Sequence, residues 1–472
     1  MANDYKQMNN DGPPNILLIV SDQQRYDCIG YSRDYPVKTP NIDRLASQGM
    51  WFTNAFTPIP LCCPARQAML NGRRPESFGA LWNYDITLKT SALEPTEYSW
   101  TKQIKELGYQ MGYVGKWHVH PKYTPLEYGY DEYIGEMDYD AFRKKKYPQL
   151  SFQNGWLGEI DPVPLEDART HWFAQKAIGL IKEFDQKKQP WHIQLDFPEP
   201  HLPCQPVEQF AQMYDPQEIP EWRSFRDEFV NKPYIQKQQL YNWNIENFTW
   251  NDWAPIVARY YAIISQMDDA IGKVLNTLET LGISENTIVI YTSDHGDMCG
   301  SHRMLDKHYV LYDDIVRVPL VIRWPKIILE NTKCQEFVVH FLDLAPTILD
   351  ILGLEQKEFF HGRSLVPLLQ GKEISDWRQH AVSTYNGQQF GLYTQRMIRN
   401  NKWKYVWNAT DIDELYDLEN DPGELNNLIY EESCRPILKE LRQKLYEELL
   451  KDGDDLVKNS WFDAQLLNNK KL

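Results

Sequence analysis

The stretch NILLIVSDQQ, residues 15–24, decides the architecture of this chain. Its apolar residues run on without the polar alternation of a strand that faces water on one side. Such a run predicts a central parallel strand covered on both faces. Asp22 and Gln23 then stand just past its carboxyl end. In sheets of this kind the chemistry collects in the loops beyond the carboxyl ends of the strands.

Outward from that strand the pattern repeats. TPNIDRLASQG (39–49) has the Thr-Pro start and Gly stop of a short helix. SWTKQIKELGYQMGYVGKWH (99–118) reads as a helix closed near Gly108, then a strand at QMGYVG. WHIQLDF (191–197), TIVIYTSDHG (287–296) and VPLVIRWP (318–325) supply further strands. Between them, Ile263, Ile264, Met267, Ile271, Val274, Leu275 and Leu278 share one helical stripe that Gly282 closes. Strands alternating with helices predict an α/β fold, a mostly parallel central sheet flanked by helices.

From about residue 380 the texture changes to KWKYVWN (402–408), DELYDLENDPGELNNL (413–428) and a charged helix at 435–452. The division expected is a catalytic α/β domain over 1–379 and a smaller C-terminal α+β domain over 380–472. Residues 136–256 are rich in Trp, Tyr, Pro and charge with weak periodicity, and they predict a lid or insertion. Trp222, Trp243, Trp250 and Trp253 there either stack on a sugar or aryl face or pack the segment or an oligomer contact; packing is the stronger reading.

Composition bounds the function. Of 472 residues, 42% are hydrophobic and 25% charged, as in an ordinary soluble protein. No window holds ~18 consecutive apolar residues, so no membrane span is expected. The start, MANDYKQMNNDGPP, lacks a basic n-region, and the run Ile16–Val20 is too short for a signal-peptide core, so a cytoplasmic location is expected. A formal charge of −16 argues against nucleic acid and anionic membranes as partners. An anionic substrate must then be captured by a local cationic pocket.

Strand ends supply the candidates for that pocket. Asp22 and Gln23 follow one strand, and Asp294 and His295 follow another. Hard carboxylate and amide oxygens from two strand ends form a plausible cage for a divalent cation, Ca²⁺ or Mg²⁺ ahead of Zn²⁺. Lys116, His118 and His120 follow a third strand and His201 a fourth, while His302, Lys307 and His308 come after the second acidic pair. Single histidines are mostly structural; several cations after separate strand ends can converge on one anion.

LCCPARQAMLNGRR (61–74) raises a different question, because two of the seven cysteines are adjacent. Redox pairs are normally spaced C-x-x-C, and no finger-like Cys or His partners accompany these two. Cys63 reads as a buried accident, whereas Cys62 opens C-x-P-x-R and continues to Gly72-Arg73.

That signature resembles the type I, formylglycine-dependent sulfatase family of the alkaline-phosphatase-like superfamily. PNILLIVSDQQ, TPNIDRLASQGMWFTNAFT, GYVGKWH, PHLP, SDHGDMCGSHRMLDKHYVLYDDIVRVPLVI, DLAPTILDILG and ELYDLENDPGELNNL all fall in the family's order. The resemblance implies hydrolysis of sulfate esters, with Cys62 converted to formylglycine by a formylglycine-generating enzyme. One hydroxyl of the hydrate attacks sulfur, the alcohol leaves, and loss of the second hydroxyl's proton expels sulfate. It further implies that Asp22, Gln23, Asp294 and His295 hold one divalent cation, Ca²⁺ first, with Mg²⁺, Mn²⁺ or Zn²⁺ as alternatives. Arg66 would steady the diol, Lys116 and His118 flank it with His118 as base, and His201 and Lys307 bind sulfate and protonate the leaving oxygen.

Two positions depart from the common family pattern. Gln23 replaces a second Asp, and His295 follows Asp294 where many relatives carry Asn. An Asp-His pair also occurs in phosphonate monoester hydrolases. The expected substrate is a small anionic ester, an aryl or carbohydrate sulfate. The alternatives are a phosphonate monoester hydrolase or phosphodiesterase on the same scaffold, and a non-catalytic anion-binding protein. A homo-oligomer is compatible with the sequence.

Overall fold

The computed structural model describes residues 12–84, 88–325, 327–388 and 391–471. The leader-free reading of the first fourteen residues therefore falls mostly on residues outside this set. Nine strands come first: β1 (Asn15–Asp22), β2 (Met50–Phe52), β3 (Ala55–Phe56), β4 (Gln110–Gly115), β5 (Glu132–Gly135), β6 (Trp191–Pro200), β7 (Thr287–Ser293), β8 (Leu320–Arg323) and β9 (Thr332–Cys334). All but β3 form one sheet in the order β5-β4-β6-β1-β7-β8-β2-β9. β5, β4, β6, β1 and β7 are mutually parallel, with Leu17 of β1 opposite Ile193 of β6 and Val289 of β7. β8 alone runs antiparallel to both its neighbours.

β1 is buried along its whole length, as its unbroken apolar run predicts. Leu17 and Ile19 face a core built with α1 (Pro40–Ser47), α3 (Arg169–Gln186) and the carboxyl half of α4 (Trp250–Thr280), whose Met267, Ile271, Val274 and Leu278 form the predicted stripe. Ile16, Leu18 and Val20 face α2 (Cys62–Asn71) and α5 (His340–Ile351) on the other side. Each fully buried aliphatic side chain contributes roughly 1.5–3 kcal/mol, so a strand wedged between two such layers is fixed firmly. α4 extends further back than its stripe, to a capping box in which the Thr249 amide donates to Asp252 (2.8 Å).

The chain ends in an antiparallel meander of β11 (Ala381–Gln388), β12 (Gly391–Arg399), β13 (Trp403–Asn408) and β14 (Glu414–Asp417), preceded by β10 (Val338–Val339), which pairs with β3. Leu438, Leu441, Leu445 and Leu449 of α6 (Arg435–Lys451) cover one face of the meander. Tyr385, Met397, Val406 and Tyr416 on the other face join the core of the main sheet. The small sheet therefore shares apolar surface with the large one.

The span 136–256 is not a lid as a whole, because it contains α3 and the central strand β6. WHIQLDF announces β6, whereas the aromatic-rich surroundings mask the periodicity of α3. Its tryptophans pack: Trp222 and Trp253 are buried. Trp222 lies 4.1 Å below the Arg25 guanidinium and edge-on to Tyr35 and Tyr261.

Gly115 closes β4 at φ +108°, and a Cβ there would overlap the carbonyl oxygen of Asp196 on β6. Gly115→Ala should destabilise the protein by on the order of 3 kcal/mol, through a strained φ and a forced separation of β4 from β6. Chemical denaturation checks this; an unchanged midpoint would mean the strands part more easily than their hydrogen bonds indicate.

Candidate active site

The carboxyl ends of β1, β4, β6 and β7 and the amino end of α2 meet at one point. Cys62 is the first residue of α2, entered from an extended Leu61. The Cys63 amide, one of the orphan donors of this helix end, is capped by Asn83 Oδ1 at 3.0 Å. The helix therefore aims its positive end at the cluster in front of it.

Cys62 Sγ lies 3.2 Å from His295 Nε2 and 3.7 Å from Asp22 Oδ1. One ligand atom from each of Asp22, Cys62, Asp294 and His295 falls within 4.8 Å of the others, and all four side chains are buried. Burial alone would raise the Cys62 thiol. The Lys116 and Lys307 ammonium groups and the His295 ring outweigh it and hold the thiol well below its usual range. Cys63 behaves oppositely: burial pushes its thiol up, opposed only in part by His118. His295 is pushed up to about 9, since Asp294 and Cys62 overcome the burial that would lower it.

Arg66, one turn on from Cys62, is fully buried among three carboxylates. Its Nε donates to Asp294 (3.0 Å), one terminal nitrogen to Asp196 (2.6 Å), and the other lies 3.5 Å from Asp22. Lys116 pairs with Asp22, and His118 favours the thiolate form of both Cys62 and Cys63. Lys307 Nζ reaches Gln23 Oε1 at 2.7 Å, His201 Nε2 at 3.0 Å and Asp306 at 3.0 Å. Burial would lower Lys307, but Asp306 and Cys62 raise it, so it remains an ammonium group. His201 then accepts at Nε2 and donates from Nδ1 to the Leu202 carbonyl (2.7 Å), which fixes its tautomer from its partners.

The ten residues that the resemblance assigns thus lie together, with one difference of detail. The Gln23 side chain spans Lys307 and Asp297, its Nε2 donating to Asp297 Oδ2 at 2.8 Å, while its backbone amide donates to Asp294. Gln23 holds this posture at φ +70°, and His118 sits at +49°, so two site residues occupy the left-handed region. The other histidines are engaged elsewhere: His120 with Glu94 at 3.5 Å, and His302 with Asp227 while stacked on Tyr312 at 3.8 Å. His308 pairs with Asp306 at 2.8 Å.

Sequence reasoning missed Asp196, Asp297 and Asp306. Asp196 accepts from Arg66, from Tyr113 (2.6 Å) and from Gln194 (3.0 Å), and burial raises it to about 6. An acid inside the apolar run WHIQLDF was the available signal. Asp297 and Asp306 stand behind Gln23 and Lys307 and orient both.

The two carboxylates and the imidazole gathered around the residue 62 side chain could hold a divalent cation bound chiefly through oxygen. Around it stand Arg66, Lys116 and Lys307, each paired with at least one carboxylate. No helix among the described residues is long and apolar enough to cross a membrane.

The sulfatase family model matches residues 14–354, and a model described as N-sulphoglucosamine sulphohydrolase, C-terminal, matches residues 300–451. An arylsulfatase of Clostridium perfringens (strain 13 / Type A) is 28% identical over 504 residues, covering 94% of this chain and 97% of its own. A phosphonate monoester hydrolase of Agrobacterium radiobacter superposes with a TM-score of 0.81 at 25% identity, over 93% of this chain and 96% of its own. A third protein, solved with its substrate D-glucosamine-2-N,6-O-disulfate, gives 0.78 at 22% identity, over 95% of this chain and all of its own.

Proposed function

The chain belongs to the sulfatase family, and we propose that it hydrolyses sulfate monoesters of aryl or carbohydrate alcohols, with Cys62 as the position of the nucleophile. One observation carries this reading: Cys62 stands at the amino end of α2, buried between the carboxylates of Asp22 and Asp294 and the cations of Arg66, Lys116 and Lys307. We further assign Asp22, Gln23, Asp294 and His295 to one divalent cation, Ca²⁺ first. When bound, such an ion supplies Lewis-acid polarisation of a sulfate oxygen and acidifies the nucleophile. Conversion of Cys62 to formylglycine supplies a diol whose sulfate ester can eliminate. It requires a formylglycine-generating enzyme in the host, and the reading places the protein in the cytoplasm. The functional division proposed is a catalytic part over 1–379 and a smaller part over 380–472.

The chain's own residues divide the remaining work. Arg66 holds the carboxylates in place and stabilises negative charge beside Cys62. Lys116 and Lys307 bind sulfate oxygens from two sides. His118, within hydrogen-bonding reach of Cys62, takes the proton in the release step. Lys307 carries the proton for the departing oxygen, and His201, fixed by the Leu202 carbonyl, orients it.

The Agrobacterium phosphonate monoester hydrolase has the same fold, and the Asp294-His295 pair suits either anion. A panel of aryl sulfate, phosphonate monoester and phosphodiester, run on protein whose mass shows the converted residue, separates them. Phosphonates and diesters carry an organic group that sulfate lacks, and a tight pocket walled by His201 and Lys307 would exclude it. kcat/KM should favour the aryl sulfate tenfold or more. Preference for the phosphonate would reassign the substrate while leaving the nucleophile in place.

A further inference from the structure

A second cavity, of about 180 Å³, lies beyond the His201 loop and is assigned no role by the chemistry above. At about 30 Å³ per water it has room for roughly six waters, the bulk of one small ring-shaped unit. Glu199, two residues before His201, lines it. Glu199 is 4% exposed, and its Oε1 accepts from Arg169 Nε at 2.7 Å. Its Oε2 is buried and has no hydrogen-bond partner among the described residues. A buried carboxylate oxygen left bare is costly, so it marks a place for a donor.

The charges around the cavity say what kind. Arg143 forks onto Asp161 (2.7 and 2.9 Å) and Arg169 pairs with Glu199, so both arginines are neutralised. Asp140, an exposed residue, also lines the cavity and makes no ion pair among the described residues. One negative charge and one bare carboxylate oxygen therefore remain for a ligand to meet, and both call for N–H or O–H donors with positive charge. Tyr139, Phe152 and Ile263 supply an apolar wall. Such a mixture suits the two faces of a sugar ring bearing an amine.

Position connects this cavity to the nucleophile. Part of its lining comes from the residues after β5 and from the end of β6 onward, at the same carboxyl edge of the sheet as Lys116 and His201, and the rest from α3 and α4. Glu136, the first residue after β5, acts electrostatically on both Lys116 and Arg169. Resting on the sulfatase reading above, we propose that this cavity is a subsite for an amine-bearing carbohydrate unit of the sulfated substrate, with Glu199 Oε2 as acceptor.

Titration calorimetry on the full chain tests it, with glucosamine as probe and inorganic sulfate as a separate reporter of the nucleophile pocket. Glucosamine should bind in the millimolar range or better, and N-acetylglucosamine at least tenfold more weakly. Glu199→Gln should weaken glucosamine binding tenfold or more. Gln205→Trp, which fills the cavity without removing the Arg169–Glu199 pair, should abolish it. Loss in both variants with sulfate still bound supports the subsite. Absence of glucosamine binding to the unaltered protein, which would leave the cavity to solvent, overturns it. Binding that survives both substitutions, or a Gln205→Trp protein that loses sulfate as well, also counts against it. If Glu199→Gln alone loses sulfate, it has displaced His201, and Gln205→Trp decides. Failure of the sulfatase reading itself is seen in the ester panel, not in this titration.

Discussion

Cys62→Ala should lower turnover of an aryl sulfate by about three orders of magnitude or more, the scale on which loss of a nucleophile is felt. Folding should survive, because the helix entry is capped by Asn83 through the Cys63 amide and not by the Cys62 side chain. Cys63→Ala should cost on the order of 1 kcal/mol of stability and keep most activity, since it removes a buried sulfur far less involved with the cations. The electrostatics separate the two neighbours already: Lys116, Lys307 and His295 act on Cys62, whereas burial dominates Cys63. Steady-state kinetics of both variants, with a mass measurement of the peptide around residue 62, give the answer. Equal loss from the two substitutions would indicate a vicinal redox pair, and full activity with an intact Cys62 thiol would exclude a converted nucleophile.

The parts of this fold that the sequence announces are those where one physical demand acts alone. β1 must be apolar on both faces, so Ile16–Val20 reads plainly, and so does the buried stripe of α4 from Ile263 to Leu278. Strand direction is another matter. VPLVIRWP looks like any other buried strand, but β8 runs antiparallel between β7 and β2, and burial alone carries no polarity. Residues 136–256 mislead for a related reason: WHIQLDF reads as a strand, but the fully buried His192, Gln194 and Asp196 conceal that β6 lies in the middle of the sheet.

The site divides along the same line. Asp22, Asp294 and His295 are legible because each follows an apolar run directly. Asp196 hides inside one, where its meaning depends on Arg66 arriving from a helix far away in sequence. Gln23 shows the limit of reading a residue by its place. Its position beside Asp22 is as expected, yet its side chain links Lys307 to Asp297, contacts that only the folded loop creates. Of the clustered histidines, His118, His201 and His295 converge, while His120, His302 and His308 settle on nearby acids.

Asp294→Ala should reduce turnover roughly a hundredfold or more and release most of the bound divalent cation, exceeding what is typical for loss of a group that merely supports a ligand. Asp294 acts twice. It offers carboxylate oxygen and charge to the cation, and it accepts from Arg66 Nε at 3.0 Å and from the Gln23 amide at 3.0 Å. Without it, Arg66 keeps Asp196 at 2.6 Å, the Lys116 carbonyl at 3.1 Å and the longer contact with Asp22 at 3.5 Å, but its Nε loses its acceptor. Gln23→Ala removes a neutral amide that already bridges Lys307 and Asp297, so its effect should be tenfold or less. Asp294→Asn separates the two duties, since it keeps an oxygen for Arg66 while surrendering the charge; it should lose cation nearly as completely as the alanine variant. Exhaustive chelation of the unaltered enzyme should abolish activity, and Ca²⁺ or Mg²⁺ should restore it. Elemental analysis provides a second readout, one cation per chain before chelation and less in both Asp294 variants. Undiminished turnover in chelated protein with no measurable metal would remove the cation from the reaction and leave Asp22, Asp294 and His295 as partners of Arg66, Lys116 and Cys62 alone.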